Sequence, residues 1–500
     1  MITVNEHSPS QKTIFGMSIV IVMVVLSLTV ALDVNDQGIL YLALGVFAFI
    51  AGIVLLSLPQ YGVYLVILSF PFLASIPRGR YIPGLKLDEL LIIVVMLAYL
   101  VGPDAQKFKI TITRVDYVYL LMYLIGTVVP VMGVLFRGQN PDWIEVVALL
   151  KQFALYRLVL MTLSDRANVS RAIVLLLLSS LGVSLIALLQ LLDFANVRTV
   201  LAAIGGDAGG YLLKADMRPE FYRATSTLGN WNALGGYAAF GCCLSLSLIW
   251  HCRNKTVIAW LASAAFVANF CTLAMSGSSS SIVGFISGAL VLWLFSSGRK
   301  RAMIYIGVCI VLVLLVGIPL LSTVVGRVLH QQIQRQVLTS GIEFLGQHYP
   351  TYGLPRSVVL RWLLAKHVFS LMAEDGLALL TGFGAGRTGL DALSPLTTAE
   401  SGYMIMLFFY GPLFLVSYLI LIKVIASQAC LTRKHLRNRD RLGYAVTMAM
   451  LSISVAMVLM NIIHAYYSAA GVTHYFWILA GCIATLRKQY SKHIYRNQNR

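Results

Sequence analysis

Charge is what this sequence has least of. Of its 500 residues only 12% are Asp, Glu, Lys or Arg, while 58% are hydrophobic and the mean hydropathy is +0.81. Soluble domains carry about a quarter charged residues, so so sparse a set excludes an ordinary water-soluble fold. Apolar runs of about 17–25 residues recur along nearly the whole chain, each long enough to cross a bilayer as a helix. The composition predicts an all-α polytopic membrane protein.

Acidic residues are scarcer still, 20 against 38 Lys and Arg, for a formal net charge of +18. That excess does not predict nucleic-acid binding, because it gathers in short segments between apolar runs: "GRKR" (Gly298–Arg301), "LTRKHLRNRDR" (Leu431–Arg441) and the C-terminal tail. Clustering of this kind fixes membrane orientation, with the basic segments and both termini on the cytoplasmic side. The seven cysteines lie in spans or in segments placed on that side, so no disulfide framework is expected. There is no His-Glu-x-x-His, no Asp-x-Asp in an external loop and no histidine pair at ligand spacing, so neither metal nor cofactor is expected. The glycine run "GFGAG" (Gly382–Gly386) follows no strand and precedes no Lys-Ser/Thr, which excludes a nucleotide phosphate loop and leaves a hinge or turn. Internal repeats are absent.

About fourteen spans (twelve to fourteen) are expected, starting near Ile14, Ile39, Gln60, Leu87, Asp116, Trp143, Ala172, Asn232, Val257, Ile282, Met303, Tyr403, Tyr444 and Val472. The first, Ile14–Leu32, is too long for a signal-peptide core and lacks a small-x-small cleavage site, so it is read as retained. The organisation is then residues 1–192 with seven spans, an external loop at 193–231, four spans in 232–323, a large external loop at 324–402, and three spans with a basic tail in 403–500. The second loop far exceeds an ordinary connection, which marks it as functional. Two stretches within it, Val324–Leu345 and Ser357–Met372, have apolar residues at helical spacing with basic residues between them, as in helices lying along a membrane surface.

The external segments hold Arg218, Arg223, Arg327, Arg335, Arg356, Arg361, Lys366 and Arg387, and an earlier loop adds Arg78 and Arg80. Long loops cross regardless of charge, which is one explanation. The other is an outward-facing site for a polyanionic, lipid-linked substrate, since guanidinium forks bind phosphate oxygens bidentately.

Three segments carry a resemblance. "RATSTLGNWNALGGYAAF" from Arg223 runs through Gly229 to Asn232, and "LRWLLAKHVFSLMAEDGLALLTGFGAGRTGL" contains Arg361 and the glycine run. "ESGYMIMLFFYGPL" then opens on Glu400. In order and spacing, over roughly Arg223 to Pro412, they resemble the O-antigen polymerase and O-antigen ligase superfamily. Ligases of that superfamily carry a histidine where this chain has Glu400, although Ser401, Met404 and Gly411 keep the surrounding pattern. The departure favours the polymerase branch. A second departure is Ser279, in "MSGSSSSIVGF", where the family often has arginine.

The resemblance implies a GT-C-like architecture in the bacterial inner membrane. It implies metal-independent glycosyl transfer on the periplasmic face, from a glycan on undecaprenyl pyrophosphate to a lipid-linked repeat unit, alongside a chain-length regulator. Membrane lipids would be the other partner, with no nucleic acid. Arg223 and Arg361 would stabilise the departing pyrophosphate and Glu400 would act as general base. Arg218, Arg356, Asn232, Arg387, Tyr403, Arg78 and Arg80 would bind substrate.

Structural readings stand beside these roles. Glu400 or Asn232 could cap the helix that follows it; Arg223 could pair with Asp216 or Glu220; Arg361 could be an interfacial anchor. Lys151 and Arg157, inside the sixth span, are candidates as intramembrane cations. His464, Tyr466, Tyr467, His474 and Tyr475 read as an interfacial belt or a sugar platform. A flippase for lipid-linked oligosaccharides and an O-antigen ligase are the alternative functions.

Overall fold

A computed structural model of the chain describes residues 59–79, 86–101, 112–137, 143–205, 223–252, 256–295, 341–344, 347–350, 356–376, 378–383 and 401–498. They are predominantly helical. The chain divides into two compact units, Met1–Val66 with Arg78–Ile110, and Ile67–Pro77 with Thr111–Arg500.

The first unit contains the start of α1 (Pro59–Leu73) and all of α2 (Leu87–Val101). Asp88 and Glu89 sit in the first turn of α2, where carboxylates complement the positive end of the helix dipole. Glu89 also accepts the Lys86 N–H at 3.1 Å and pairs with Arg78 at 2.5 Å.

The second unit carries α3 (Arg114–Arg137), α4 (Trp143–Thr162), α5 (Arg166–Leu192), the short α6 (Val197–Gly205), α7 (Trp231–His251), α8 (Thr256–Ser276) and α9 (Ser279–Phe295). There follow a hairpin of β1 (Gly341–Phe344) and β2 (Gln347–Pro350), then α10 (Arg356–Glu374), α11 (Ala378–Thr381), α12 (Gly402–Leu436), α13 (Arg441–Ile463) and α14 (Val472–Gln498). Among the described residues, five helices are long and apolar enough to cross a membrane: Arg166–Leu192, Trp231–His251, Val257–Ser276, Gly402–Leu436 and Arg441–Ile463. Every expected span from Gln60 to Ile282, and from Tyr403 onward, falls on a helix; the largest offset is Ala172 against a start at Arg166. Those at Ile14, Ile39 and Met303 lie outside the described residues.

The unit is organised around α7, in which every residue from Ala233 to Leu248 is buried. The run is rich in Gly, Ala, Cys and Ser, which lets α8, α9 and α13 approach its backbone closely. Some buried hydroxyls donate to carbonyls of their own helices: Ser179 to Leu176 O at 3.0 Å and Ser454 to Met450 O at 2.8 Å. On α3, by contrast, Tyr117, Leu120, Leu121, Leu124 and Leu135 are exposed, an apolar stripe suited to lipid.

One of the two expectations for the large loop needs correction. The end of the stretch Val324–Leu345 is not helical: Gly341–Phe344 is a strand, paired antiparallel to Gln347–Pro350 with Gly341 opposite Pro350. β-Branched Ile342 and aromatic Phe344 and Tyr349 suit a strand. The second stretch does form a helix, α10, as expected, with Val358, Trp362 and Phe369 exposed along one side and the other side packed. Val359, Leu363, Leu364, Val368 and Met372 pack with Phe344, Leu407 and Phe408, which ties α10 and the hairpin to the start of α12.

Candidate functional site

α12 is broken at Gly411, whose φ of 77° and ψ of 176° are open chiefly to glycine, and Pro412 follows. Pro412 has no N–H for the carbonyl of Phe408, four residues back. That carbonyl instead accepts the N–H of Phe383, at 2.7 Å, from the start of the glycine run. Gly382 (φ +67°) lies against Gly411, and a Cβ on Gly382 would stand 2.6 Å from Gly411 N. The "GFGAG" segment thus begins as the turn that plugs a break in α12, the turn its composition predicts.

The segment after Arg223 is fixed from several sides. Gln190, buried in α5, accepts the N–H groups of Thr225 (3.0 Å) and Ser226 (2.7 Å) and donates to Thr225 Oγ1 (3.0 Å). Ala224 N–H reaches Met275 O at 3.3 Å, and Thr227 O accepts Ser75 N–H at 3.2 Å. Arg223 itself lies over the Trp231 ring, 5.4 Å from its centroid. Asp216 and Glu220, its suggested acidic partners, lie outside the described residues.

Asn232 does not cap α7. Asn230 does, accepting from Asn232 N (2.7 Å) and Ala233 N (3.3 Å), because the cap residue needs the extended backbone that Asn230 has and Asn232 lacks. The Asn232 side chain is therefore available elsewhere. Its Oδ1 accepts from Ser278 at 2.9 Å and its Nδ2 faces Nδ1 of His464 at 3.5 Å.

His464 is the first residue beyond α13, with extended backbone and its N–H on Met460 O. Its ring packs edge-on against Tyr466, whose hydroxyl lies 3.2, 2.6 and 2.7 Å from those of Ser278, Ser280 and Ser281. Close approach is possible because α7 has Gly236 here; a Cβ would lie 2.6 Å from the Tyr466 ring. Asn461 holds the same turn, accepting Tyr467 N–H at 3.0 Å, and Gln152 Nε2 donates to Tyr467 O at 3.1 Å.

Arg361 reaches this turn from α10, its Nε donating to Ile463 O, one of the carbonyls that a helix C-terminus leaves without an intrahelical partner. Burial and the Arg361 charge together push the His464 imidazole down to about 4, so it is neutral at physiological pH. α12 arrives at the same place: a Cβ on Gly402 would lie 2.6 Å from Asn461 Oδ1 and 3.1 Å from His464 O.

The structure thus brings Arg361, Asn232 and His464 together, with Arg223 on Trp231 next to Asn232 in sequence. Comparison of the sequence with protein-family models finds no match, and comparison with curated proteins finds none either. The chemistry of the site rests on its own residues.

Glu400, Arg218, Arg387 and Arg80 lie outside the described residues, as does the side chain of Arg356. The cap of α12 falls on Ser401, not Glu400, and Ser401 makes no side-chain cap bond. Tyr403 donates to Val458 O at 2.7 Å and Arg78 is paired with Glu89, so both have structural partners. Arg157 is half of a buried ion pair with Asp116 at 3.2 Å, which explains it without a substrate. Tyr466, Tyr467, His474 and Tyr475 are buried, so the expected aromatic belt is in fact core. His464 alone of that group is half-buried, beside Arg361.

Sequence reasoning passed over Gln152, Gln190 and Asn461, which fix the loops around the site. Their signal was present: an amide in or at the lip of an apolar run is costly unless hydrogen-bonded.

Proposed function

We propose that this protein is a surface-polysaccharide polymerase of the O-antigen type. It transfers a growing glycan from undecaprenyl pyrophosphate to a lipid-linked repeat unit at the outer face of the cytoplasmic membrane. A hydroxyl oxygen of the acceptor sugar attacks the anomeric carbon of the donor. The bond from that carbon to the pyrophosphate oxygen breaks and its electron pair leaves with undecaprenyl pyrophosphate. Glu400 takes the hydroxyl proton and releases it to water. Charge accumulates on the pyrophosphate as the bond breaks, so Arg361 and Arg223 stabilise the transition state more than the ground state.

The observation that carries this reading is the meeting of Arg361, Asn232 and His464 where α12 begins, two residues past Glu400. Arginine, amide and imidazole groups together suit a phosphate-bearing sugar donor. The basic turn at Arg433–Arg441 lies at the other end of α12 and α13, and the positive-inside rule makes this a point in favour of an outward-facing site.

Purified protein in liposomes, supplied with a defined undecaprenyl-pyrophosphate repeat, should yield a ladder of lengthened glycans. Arg361→Ala and Glu400→Gln should each abolish the ladder while the protein still inserts. Movement of the lipid across the bilayer without lengthening would identify a flippase and overturn the proposal.

A further inference from the structure

We infer that His464 is a ligand-contacting residue of this site, donating a hydrogen bond from Nε2 to a phosphate oxygen of the lipid-linked pyrophosphate while Asn232 holds the ring through Nδ1. The identity of the ligand rests on the polymerase reading above; the geometry of the histidine does not.

The tautomer follows from the hydrogen-bond chain. Oδ1 of Asn232 accepts from the Ser278 hydroxyl at 2.9 Å, which turns the amide so that Nδ2 faces Nδ1 of His464. A nitrogen that faces a donor must itself be the acceptor, so the proton of a neutral ring sits on Nε2. Ser278 is in turn fixed by Tyr466, Ser280 and Ser281 within a buried hydroxyl cluster, so the amide has a rigid support.

Neutrality has a second source. Arg361 and burial both disfavour the imidazolium, holding the ring uncharged at physiological pH. A neutral N–H beside a guanidinium suits a pyrophosphate: it adds a donor without adding repulsion to the cation already there. Part of the His464 surface is also accessible. The chain leaves α13 at Ile463 and rejoins a helix only at Val472, and within that turn His464 is half-buried while Tyr466 and Tyr467 are buried. The start of α12 packs on the His464 carbonyl, so the histidine stands beside the helix that Glu400 precedes.

A purely structural His464 would serve only to pack on Tyr466, at 5.1 Å between ring centroids. His464→Phe keeps that packing and removes the donor; His464→Gln restores a donor without the ring. The probe is undecaprenyl pyrophosphate itself, titrated into nanodisc-embedded protein and followed by native mass spectrometry. Loss of one hydrogen bond to a charged group weakens binding about tenfold or more, so His464→Phe should raise the Kd by at least that factor and His464→Gln should recover much of it. In parallel, 15N spectra of histidine-labelled wild type should show protonated Nε2 and bare Nδ1, with the Nε2 signal moving on addition of the lipid. In Asn232→Leu, which removes the amide without touching His464, the Nδ1–H tautomer should appear.

Unchanged affinity in His464→Phe, or an Nδ1–H tautomer in the wild type, overturns the inference even where the wild type builds a glycan ladder. Carrier binding that depends on His464 in a protein that makes no ladder would sink the polymerase reading and leave His464 standing. A wild type that does not bind the carrier overturns both.

Discussion

At the scale of single residues, the charges inside the bundle divide by what they touch. Arg157 meets Asp116 through Nη1, at 3.2 and 3.3 Å from the two carboxylate oxygens. Asp116 also accepts the Thr113 N–H, so the pair ties α3 to α4. Removing one partner of such a pair leaves an uncompensated buried charge, about 3–5 kcal/mol, whereas replacing both with apolar residues is often close to neutral. Arg157→Met should therefore lower the thermal midpoint in detergent sharply, and Arg157→Met/Asp116→Leu should recover most of it. His464 behaves differently, because its partner in charge is another cation. Its folded-state value of about 4 lies below the ordinary 6.5, so the fold favours the neutral ring. The stability this gives is complete above the unfolded value and erodes as pH falls from about 6.5 toward 4, where the unfolded chain binds the proton and the folded one does not. The 15N titration of His464 should have its midpoint near 4. Arg361→Gln should raise that midpoint yet leave it below 6.5, since desolvation, the larger cause, remains.

At the scale of elements, α12 links the large loop to the bundle. Its break at Gly411–Pro412 exposes the Phe408 carbonyl, and Phe383 fills it. Gly411→Ala puts a Cβ 2.5 Å from Leu380 O and forces an L-residue into φ of 77°, a backbone strain of about 1–3 kcal/mol. The expected result is detachment of α11 and the glycine turn: amide exchange should quicken over residues 378–383 and 356–374 while α7 and α13 keep their protection. The helices themselves were legible from the sequence because apolar runs of bilayer length have one conformation that satisfies their backbone in lipid. The hairpin was not, since residues 341–344 continue an apolar periodicity that a helix also fits, and only pairing with residues 347–350 decides for a strand.

At the scale of the whole molecule, the ends of the helices in the second unit differ in kind. One end gathers Arg166 with Asp440 (2.7 Å) and the basic turn from Arg433 to Arg441; the other gathers Arg223, Asn232, Arg361 and His464. On the orientation proposed above, which follows the positive-inside rule, the first end faces the cytoplasm. In a background without native cysteines, Ser468→Cys should react with a membrane-impermeant maleimide in sealed right-side-out vesicles, and Asn438→Cys only after permeabilisation. The reverse pattern would place the arginine–histidine end inside and remove it from an extracytoplasmic substrate.

The sequence by itself determined the helical membrane class and the positions of the described helices, because hydropathy and helix period are local properties. Only tertiary structure decided that Asn230 caps α7 and frees Asn232, that Arg157 is neutralised by Asp116 across 41 positions, and that His464 faces Asn232 across 232. Those outcomes depend on which helix ends meet. Small residues such as Gly236 and Gly402 set that by how closely they let backbones approach, and a linear sequence does not say against which partner.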